Sequence, residues 1–239
     1  MHVLNTLARL LAVSAVALTL GSAANAAPTY GNISSTPGVY FGTGNLNGNW
    51  TIDTANGVEV ALRIKNRATL ATIDGSSGVY TAQSGLCNPI CGGAPKAMWN
   101  YEFSVNTQVA GGSLVLNDLT VILEVDIDAS AGTNFVSLDV LDNWPDNAYW
   151  NGIESTGRNP GALDYGVQQS ANPLFGDSGF GFLPGAGLYD LRLTVYNGAS
   201  TTAAVLASVT TQVQIPEPGS LALVGLALLG AAAARRRKA

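Results

Sequence analysis

Few residues in this chain are of types that could catalyse a reaction. The only histidine is His2, next to the N-terminus. Ser-His-Asp and Cys-His catalysis and the usual zinc sites need histidine, so they are excluded if the first residues are removed on export. A glycosidase needs only two carboxylates, but the alternation of residues places Glu59, Glu102 and Glu124 on solvent faces of strands. We therefore expect no enzyme activity and no cofactor.

Three aromatic residues, Trp144, Tyr149 and Trp150, stand among aspartates and asparagines between Asp142 and Gly152. Flat aromatic rings flanked by amides and carboxylates suit sugar rings, so these residues are candidates for binding an exopolysaccharide. The alternative is that the rings pack under a long loop. We favour that alternative, because large aromatic side chains are mostly buried.

A short acidic pattern, Asp126, Asp128 and Ser130, resembles the first three ligand positions of a calcium loop. The pattern then departs, because Ala131 stands at the glycine position and Ser137 at the position of the bidentate glutamate. The alternative is a strand that leaves the sheet through a polar turn. We predict no metal site here and keep a calcium-stabilised adhesion module as an open alternative function.

Cys87 and Cys91 flank a turn that contains Pro89 and is followed by Gly92. An even number of cysteines in an exported protein favours a disulfide. We predict a Cys87–Cys91 bond that closes a surface loop. Because the closed loop is very short, the bond should contribute little to global stability.

Alternating apolar and polar residues dominate between the two ends of the chain, as in "VEVALRIK", "MWNYEFSVN" and "LTVILEVDID". Asn56-Gly57 predicts a hairpin turn after a strand at 50–54. Further strands are expected at 39–42, 70–73, 135–141, 188–196 and 203–215, whereas 142–187 is expected to be a long loop. The prediction is one all-β domain at 27–214, an antiparallel β-sandwich of jelly-roll or Ig-like type.

The N-terminal residues have the pattern of a secretory signal peptide. Arg9 precedes an apolar run at 10–20, and Ala24 and Ala26 are the small residues of a cleavage site. We predict a signal peptide helix at 1–26. The body that follows, 27–215, has six lysines and arginines against 15 aspartates and glutamates, a net charge of −9. Such an acidic body is a poor nucleic-acid binder.

The C-terminal residues combine three features in a fixed order. Pro216, Glu217 and Pro218 are followed by 15 uncharged residues at 220–234 and by the basic residues Arg235, Arg236, Arg237 and Lys238. As a helix the uncharged run reaches about 22 Å, which is enough to span a membrane that thins locally. We predict a single transmembrane helix at about 219–234, with the basic tail at 235–239 on the cytoplasmic side.

This order of triplet, short apolar helix and basic cluster at 215–239 resembles the PEP-CTERM sorting signal of Gram-negative bacteria. The resemblance implies an exosortase as partner, a membrane-embedded cysteine transpeptidase-like enzyme that cleaves near the triplet. It also implies export through the inner membrane, transient anchoring there, and delivery to the cell surface or the extracellular matrix.

The body is similar to a recurring type of PEP-CTERM ectodomain of unknown activity, through "NGVEVALRIKNRATL", "WNYEFSVNT" and "GLYDLRLTVYN". We therefore expect an exported, non-enzymatic protein with a structural or interaction role, for example in a biofilm matrix. A carbohydrate-binding module for an exopolysaccharide is the main alternative.

Overall fold

The structure is a computed structural model that describes residues 27–35, 46–130, 132–175, 182 and 185–217. The predicted signal peptide at 1–26, the strand expected at 39–42 and the membrane helix expected at 219–234 lie outside these residues. Within the described ranges, no helix combines the length and the apolar character needed to cross a membrane.

The described residues form strands almost throughout, as the alternation of residue types predicts. The elements in chain order are β1 (Thr29–Gly31), β2 (Trp50–Ala55), β3 (Val58–Asn66), β4 (Val79–Thr81), β5 (Trp99–Asn106), a 3-10 turn (Leu116–Asp118), β6 (Thr120–Asp126), β7 (Phe135–Asp139), α1 (Val140–Asn143), β8 (Asn147–Trp150), β9 (Glu154–Gly157), β10 (Gly166–Ala171), β11 (Gly187–Tyr196) and β12 (Val205–Ile215).

These strands build two sheets that pack face to face. The larger sheet has the order β1-β2-β3-β5-β10-β8-β9, and the smaller has the order β4-β12-β11-β6-β7. Every neighbouring pair is antiparallel except β4 and β12, which run parallel. The prediction of an all-β sandwich is therefore confirmed.

The β2–β3 hairpin turns at Asn56 and Gly57, as expected from their sequence. Both residues have positive φ, 52° and 77°, which is the backbone geometry of the tight turn that connects twisted antiparallel strands. The turn sets the register that places Ile52 opposite Ala61. It thereby decides which residues of β3 face the other sheet.

The core lies between the sheets and is built from alternate residues of five strands. The inward side chains of β3 and β5 pack against those of β6, β11 and β12, and together they form one buried cluster. The members from these strands include Val60, Leu62, Ile64, Tyr101, Phe103, Val105, Val121, Leu123, Val125, Leu191, Leu193, Val195, Ala207, Val209 and Val213.

The segment 142–187 was expected to be a loop, and this expectation is wrong at three short strands. It contributes β8, β9 and β10, and β10 lies inside the larger sheet between β5 and β8. These strands are short, and β10 has the sequence "GVQQSA", which carries few apolar residues. Pairing with β5 gives the backbone of β10 its hydrogen-bond partners, and no local sequence pattern predicts this pairing.

Two further strand predictions need correction. Residues 70–73 form only an isolated antiparallel bridge, between Thr72 and Lys65 of β3, because Leu70 has a left-handed backbone (φ 59°) and its N–H closes a turn onto Asn66. In the strand expected at 135–141, pairing stops at Asp139, whose side chain accepts a hydrogen bond from the N–H of Leu141 and caps α1.

Candidate functional site

Two of the three carboxylates considered for glycosidase chemistry are buried, contrary to their predicted place on solvent faces. Glu102 on β5 forms an ion pair with Arg63 and lies 3.3 Å from the Nζ of Lys65. Glu59 on β3 accepts hydrogen bonds of 2.9 and 3.1 Å from the N–H of Ser34. Burial raises the pKa of Glu59, and the bond from Ser34 opposes the rise. Alternation shows which way a side chain points but not whether that side is covered.

The third carboxylate, Glu124 on β6, lies on the outer face of the smaller sheet. It forms an ion pair with Arg192 on β11, and one of its oxygens accepts a 2.7 Å hydrogen bond from Nη2 of that arginine. The structure therefore engages both Glu102 and Glu124 in ion pairs, and it places them on outer faces of opposite sheets. This arrangement does not bring the two carboxylates together across a cleft.

The aromatic candidates for sugar binding lie largely in the core. Trp144 is buried and packs against Phe103, with ring centroids 5.6 Å apart. Tyr149 is buried on β8, its hydroxyl donates to the carbonyl of Arg158 at 2.9 Å, and burial raises its pKa to about 12. Only Trp150 is partly exposed. The favoured interpretation of packed aromatics is confirmed for Trp144 and Tyr149, and these two rings are not open to a ligand.

The calcium candidates Asp126, Asp128 and Ser130 form hydrogen bonds within their own turn. Asp126 is buried and accepts a hydrogen bond from the N–H of Asn134. Asp128 accepts bonds from the N–H and hydroxyl of Ser130 and from the side-chain amide of Asn134. Among the residues that the structure describes, no group of three or more acidic, histidine or cysteine side chains could hold a metal ion.

Cys87 and Cys91 form the predicted disulfide. It closes a loop at one end of the sandwich, and the Sγ of Cys91 contacts the carbonyl of Arg67 at 3.8 Å. Beside this loop lies an apolar pocket of about 310 Å³ that is lined mainly by Leu86, Ala97, Trp99, Phe182 and Ile215. No sequence pattern indicated this pocket, because its lining comes from four distant parts of the chain.

A polar cleft of about 470 Å³ lies near the opposite end of the sandwich. Its lining includes Asp139, Asp142, Asn117 and Asn159. Burial raises the pKa of Asp139, and the hydrogen bond from Leu141 opposes this. No sequence pattern indicated this cleft either, because the 3-10 turn, α1 and the segment after β9 come together only in the fold.

The last strand leads directly into the Pro-Glu-Pro triplet. Ile215, the final residue of β12, is buried and pairs with Gly187 of β11. Pro216 and Glu217 follow at once and are exposed, whereas Pro218 and the basic residues 235–238 lie outside the described residues. Proline resists both helix and sheet, so Pro216 ends the strand, and the chain leaves the sheet at Pro216 and Glu217.

A protein-family model, the PEP-CTERM protein-sorting motif, matches residues 214–238. The chain carries a PEP-CTERM sorting motif. The match covers the predicted sorting residues Pro216, Glu217 and Pro218 and the basic cluster from Arg235 to Lys238, and it begins two residues before the triplet, inside β12. The motif implies an exported protein that is targeted to an exosortase and sorted to the cell surface or beyond.

Comparison with curated proteins and with solved structures finds no match to the chain. The PEP-CTERM motif thus accounts for the C-terminal tenth of the sequence, and the sandwich must be interpreted from its own geometry.

Proposed function

We propose that this chain is a non-enzymatic protein of the cell surface or extracellular matrix of a Gram-negative bacterium. An exosortase in the inner membrane processes its PEP-CTERM motif, and the sandwich is the part that reaches the outside. The observation that carries the proposal is the junction at Ile215. The Pro-Glu-Pro triplet follows the last core strand directly, so processing at the triplet releases the sandwich with β12 intact.

A structural or interaction role is supported by the way the polar side chains are used. The carboxylates of Glu102 and Glu124 are held in ion pairs, and Asp128 is held by its own turn. A mature chain that begins after Ala26 contains no histidine. In such a mature chain histidine is therefore absent, and the three carboxylates named here are engaged within the fold.

The sorting step can be tested in a Gram-negative host with and without its exosortase. Deleting residues 235–238, or replacing the triplet by alanines, should leave the protein in the membrane at its unprocessed mass. The matched control is Lys96→Ala, which removes a basic side chain that lies outside the motif. Unchanged mature mass and unchanged surface delivery in both motif variants would contradict the proposal.

The carbohydrate-binding alternative is tested by measuring stability and polysaccharide retention on one variant, Trp144→Ala. Because Trp144 packs against Phe103 in the core, the substitution should cost about 3–5 kcal/mol and lower the melting temperature by several degrees. Unchanged retention on the host's polysaccharide would contradict sugar binding at Trp144, and an unchanged melting temperature would contradict its packing in the core.

A further inference from the structure

The end of the sandwich at which β12 leaves the sheet, here called the exit pole, exposes several large apolar side chains. It comprises the turn at 67–70, the disulfide loop at 84–97, the start of β11 and Ile215. These parts are joined by backbone hydrogen bonds: Arg67 N–H to Met98 O, Met98 N–H to Gly85 O, and Ala82 N–H to Gln214 O. Four large apolar side chains of this pole are exposed: Leu70, Leu86, Ile90 and Leu188.

The most exposed of these side chains is held out by the disulfide loop. Ile90 lies between Cys87 and Cys91 and has 74 % of its surface exposed. Leu86, just before the loop, also lines the apolar pocket together with Trp99 and Ile215. Through Leu86 the exposed apolar surface therefore reaches an apolar recess, and the recess extends to the last residue of β12.

The chain length beyond the pole limits how far it can stand from a membrane. Four residues, 216–219, separate Ile215 from the uncharged run that begins at Ser220. Fully extended, the five Cα–Cα steps from Ile215 to Ser220 reach at most about 18 Å. The polar interface on one side of a bilayer is about 5–7 Å deep. A chain anchored through 220–234 therefore keeps Ile215 no further than about 13 Å beyond the lipid headgroups.

We propose that in the anchored, unprocessed protein the exit pole rests on the exported side of the lipid bilayer. Ile90, Leu86 and Leu188 enter the interfacial region, where apolar side chains leave water. The proposal rests on the anchoring that the proposed function includes. It assigns the disulfide loop a role as a membrane contact, which holds the triplet at the depth of a membrane-embedded processing enzyme.

The test uses the full chain in nanodiscs of phosphatidylethanolamine and phosphatidylglycerol that contain a lipid with a diazirine near its headgroup. After irradiation, labelled peptides are mapped by mass spectrometry. Label is expected in 84–92 and in 185–190 as well as in the C-terminal segment. Peptides around Ile153, a side chain equally exposed at 75 % but near the opposite end of the sandwich, should remain unlabelled.

Two variants sharpen the mapping. Ile90→Asp combined with Leu86→Asp should reduce labelling of 84–92 by about tenfold, the factor that corresponds to ~1.4 kcal/mol. The matched control Ile153→Asp should leave that labelling unchanged. Both variants replace exposed side chains, and a melting curve for each checks that the fold persists.

The possible failures are distinguishable. Label in the C-terminal segment with none at the exit pole would overturn the membrane contact and leave the anchored protein of the proposed function intact. Absence of label from the C-terminal segment as well would overturn both. Equal labelling of the two ends, or an unlabelled loop in a protein that native mass spectrometry shows to be a dimer, would also overturn the contact.

Discussion

Two arginine–glutamate pairs occupy equivalent positions in the two sheets. Arg63 on β3 lies directly opposite Glu102 on β5, and Arg192 on β11 lies directly opposite Glu124 on β6. Each pair sits on the outer face of its sheet, on central strands. Their surroundings differ sharply: the side chains of the first pair are 2 % and 0 % exposed, and those of the second are 42 % and 14 % exposed.

An aromatic ring lies over the guanidinium group of each arginine, and the two rings differ in their distance from that group and in their burial. The guanidinium of Arg63 lies 4.2 Å from the ring centre of Trp50, and that of Arg192 lies 5.0 Å from the ring centre of Phe135. Trp50 is buried, whereas Phe135 is only partly so. Cation–π attraction is stronger where water is excluded, so the covered pair has the stronger aromatic contact.

The two pairs differ in burial because a segment of the chain covers the outer face of the larger sheet at Arg63, whereas the outer face of the smaller sheet at Arg192 is partly exposed. Arg63 donates hydrogen bonds of 2.9 Å to the carbonyls of Leu46 and Gly48, which lie in the segment before β2. A charge removed from water is stable only if its hydrogen bonds are replaced. Identical cross-strand pairs can therefore have very different energetic weight, and burial decides which of them matters.

The largest effect is expected from Glu102→Gln. The substitution removes the carboxylate that pairs with the buried cations of Arg63 and Lys65. Breaking a buried pair in this way costs about 3–5 kcal/mol, and chemical denaturation should show it as a lower midpoint with an unchanged slope. Glu124→Gln is the matched control. Similar losses in the two variants would contradict the burial argument.

Trp50→Ala tests the covering layer itself. Trp50 belongs to a small buried cluster with Ile33, Ile52 and Ala61, and the substitution removes the ring above Arg63. We expect a loss of about 3 kcal/mol, measured by thermal unfolding. The control is Phe135→Ala, which removes the corresponding ring over Arg192 and should cost clearly less, because that ring is partly exposed.

Glu124→Gln should cost only about 0.2–1 kcal/mol, as exposed pairs usually do. Added salt should reduce this cost, because exposed charges are screened by ions. The cost of Glu102→Gln should change little with salt, because buried charges are screened much less. Unfolding curves of the wild type and both variants at low and high salt separate the two cases.

The smallest effect concerns Glu59, a buried carboxylate on the same covered face. Burial raises the pKa of Glu59, so protonation of this carboxyl group favours the folded state. The stability that the protonated carboxyl group contributes is fully present below the ordinary pKa of glutamate and is lost as the pH rises. Glu59→Gln should therefore stabilise the protein slightly at neutral pH, by about 0.5 kcal/mol or less. This advantage should vanish below about pH 4.5, and one that grew on acidification would contradict the sign.

Local sequence patterns determined a large part of this fold. The alternation in β3, β5, β6, β11 and β12, the Asn56-Gly57 turn and the Cys87–Cys91 bond each depend on neighbouring residues, so they can be predicted from one chain. The sorting residues, from Pro216 to Pro218 and from Arg235 to Lys238, likewise lie within one short stretch of the chain, and the family comparison confirms them.

Tertiary structure alone decided which polar faces are covered and where unpatterned segments pair. The outward residues of β5 and of β6 alternate in the same way, yet Glu102 is buried and Glu124 is partly exposed. β10 became a strand because β5 offered it hydrogen-bond partners, and Trp144 entered the core because α1 brought it beside Phe103. Burial and strand pairing depend on contacts between residues far apart in the chain. The local spacing of residues therefore does not determine which distant segment packs against a given strand.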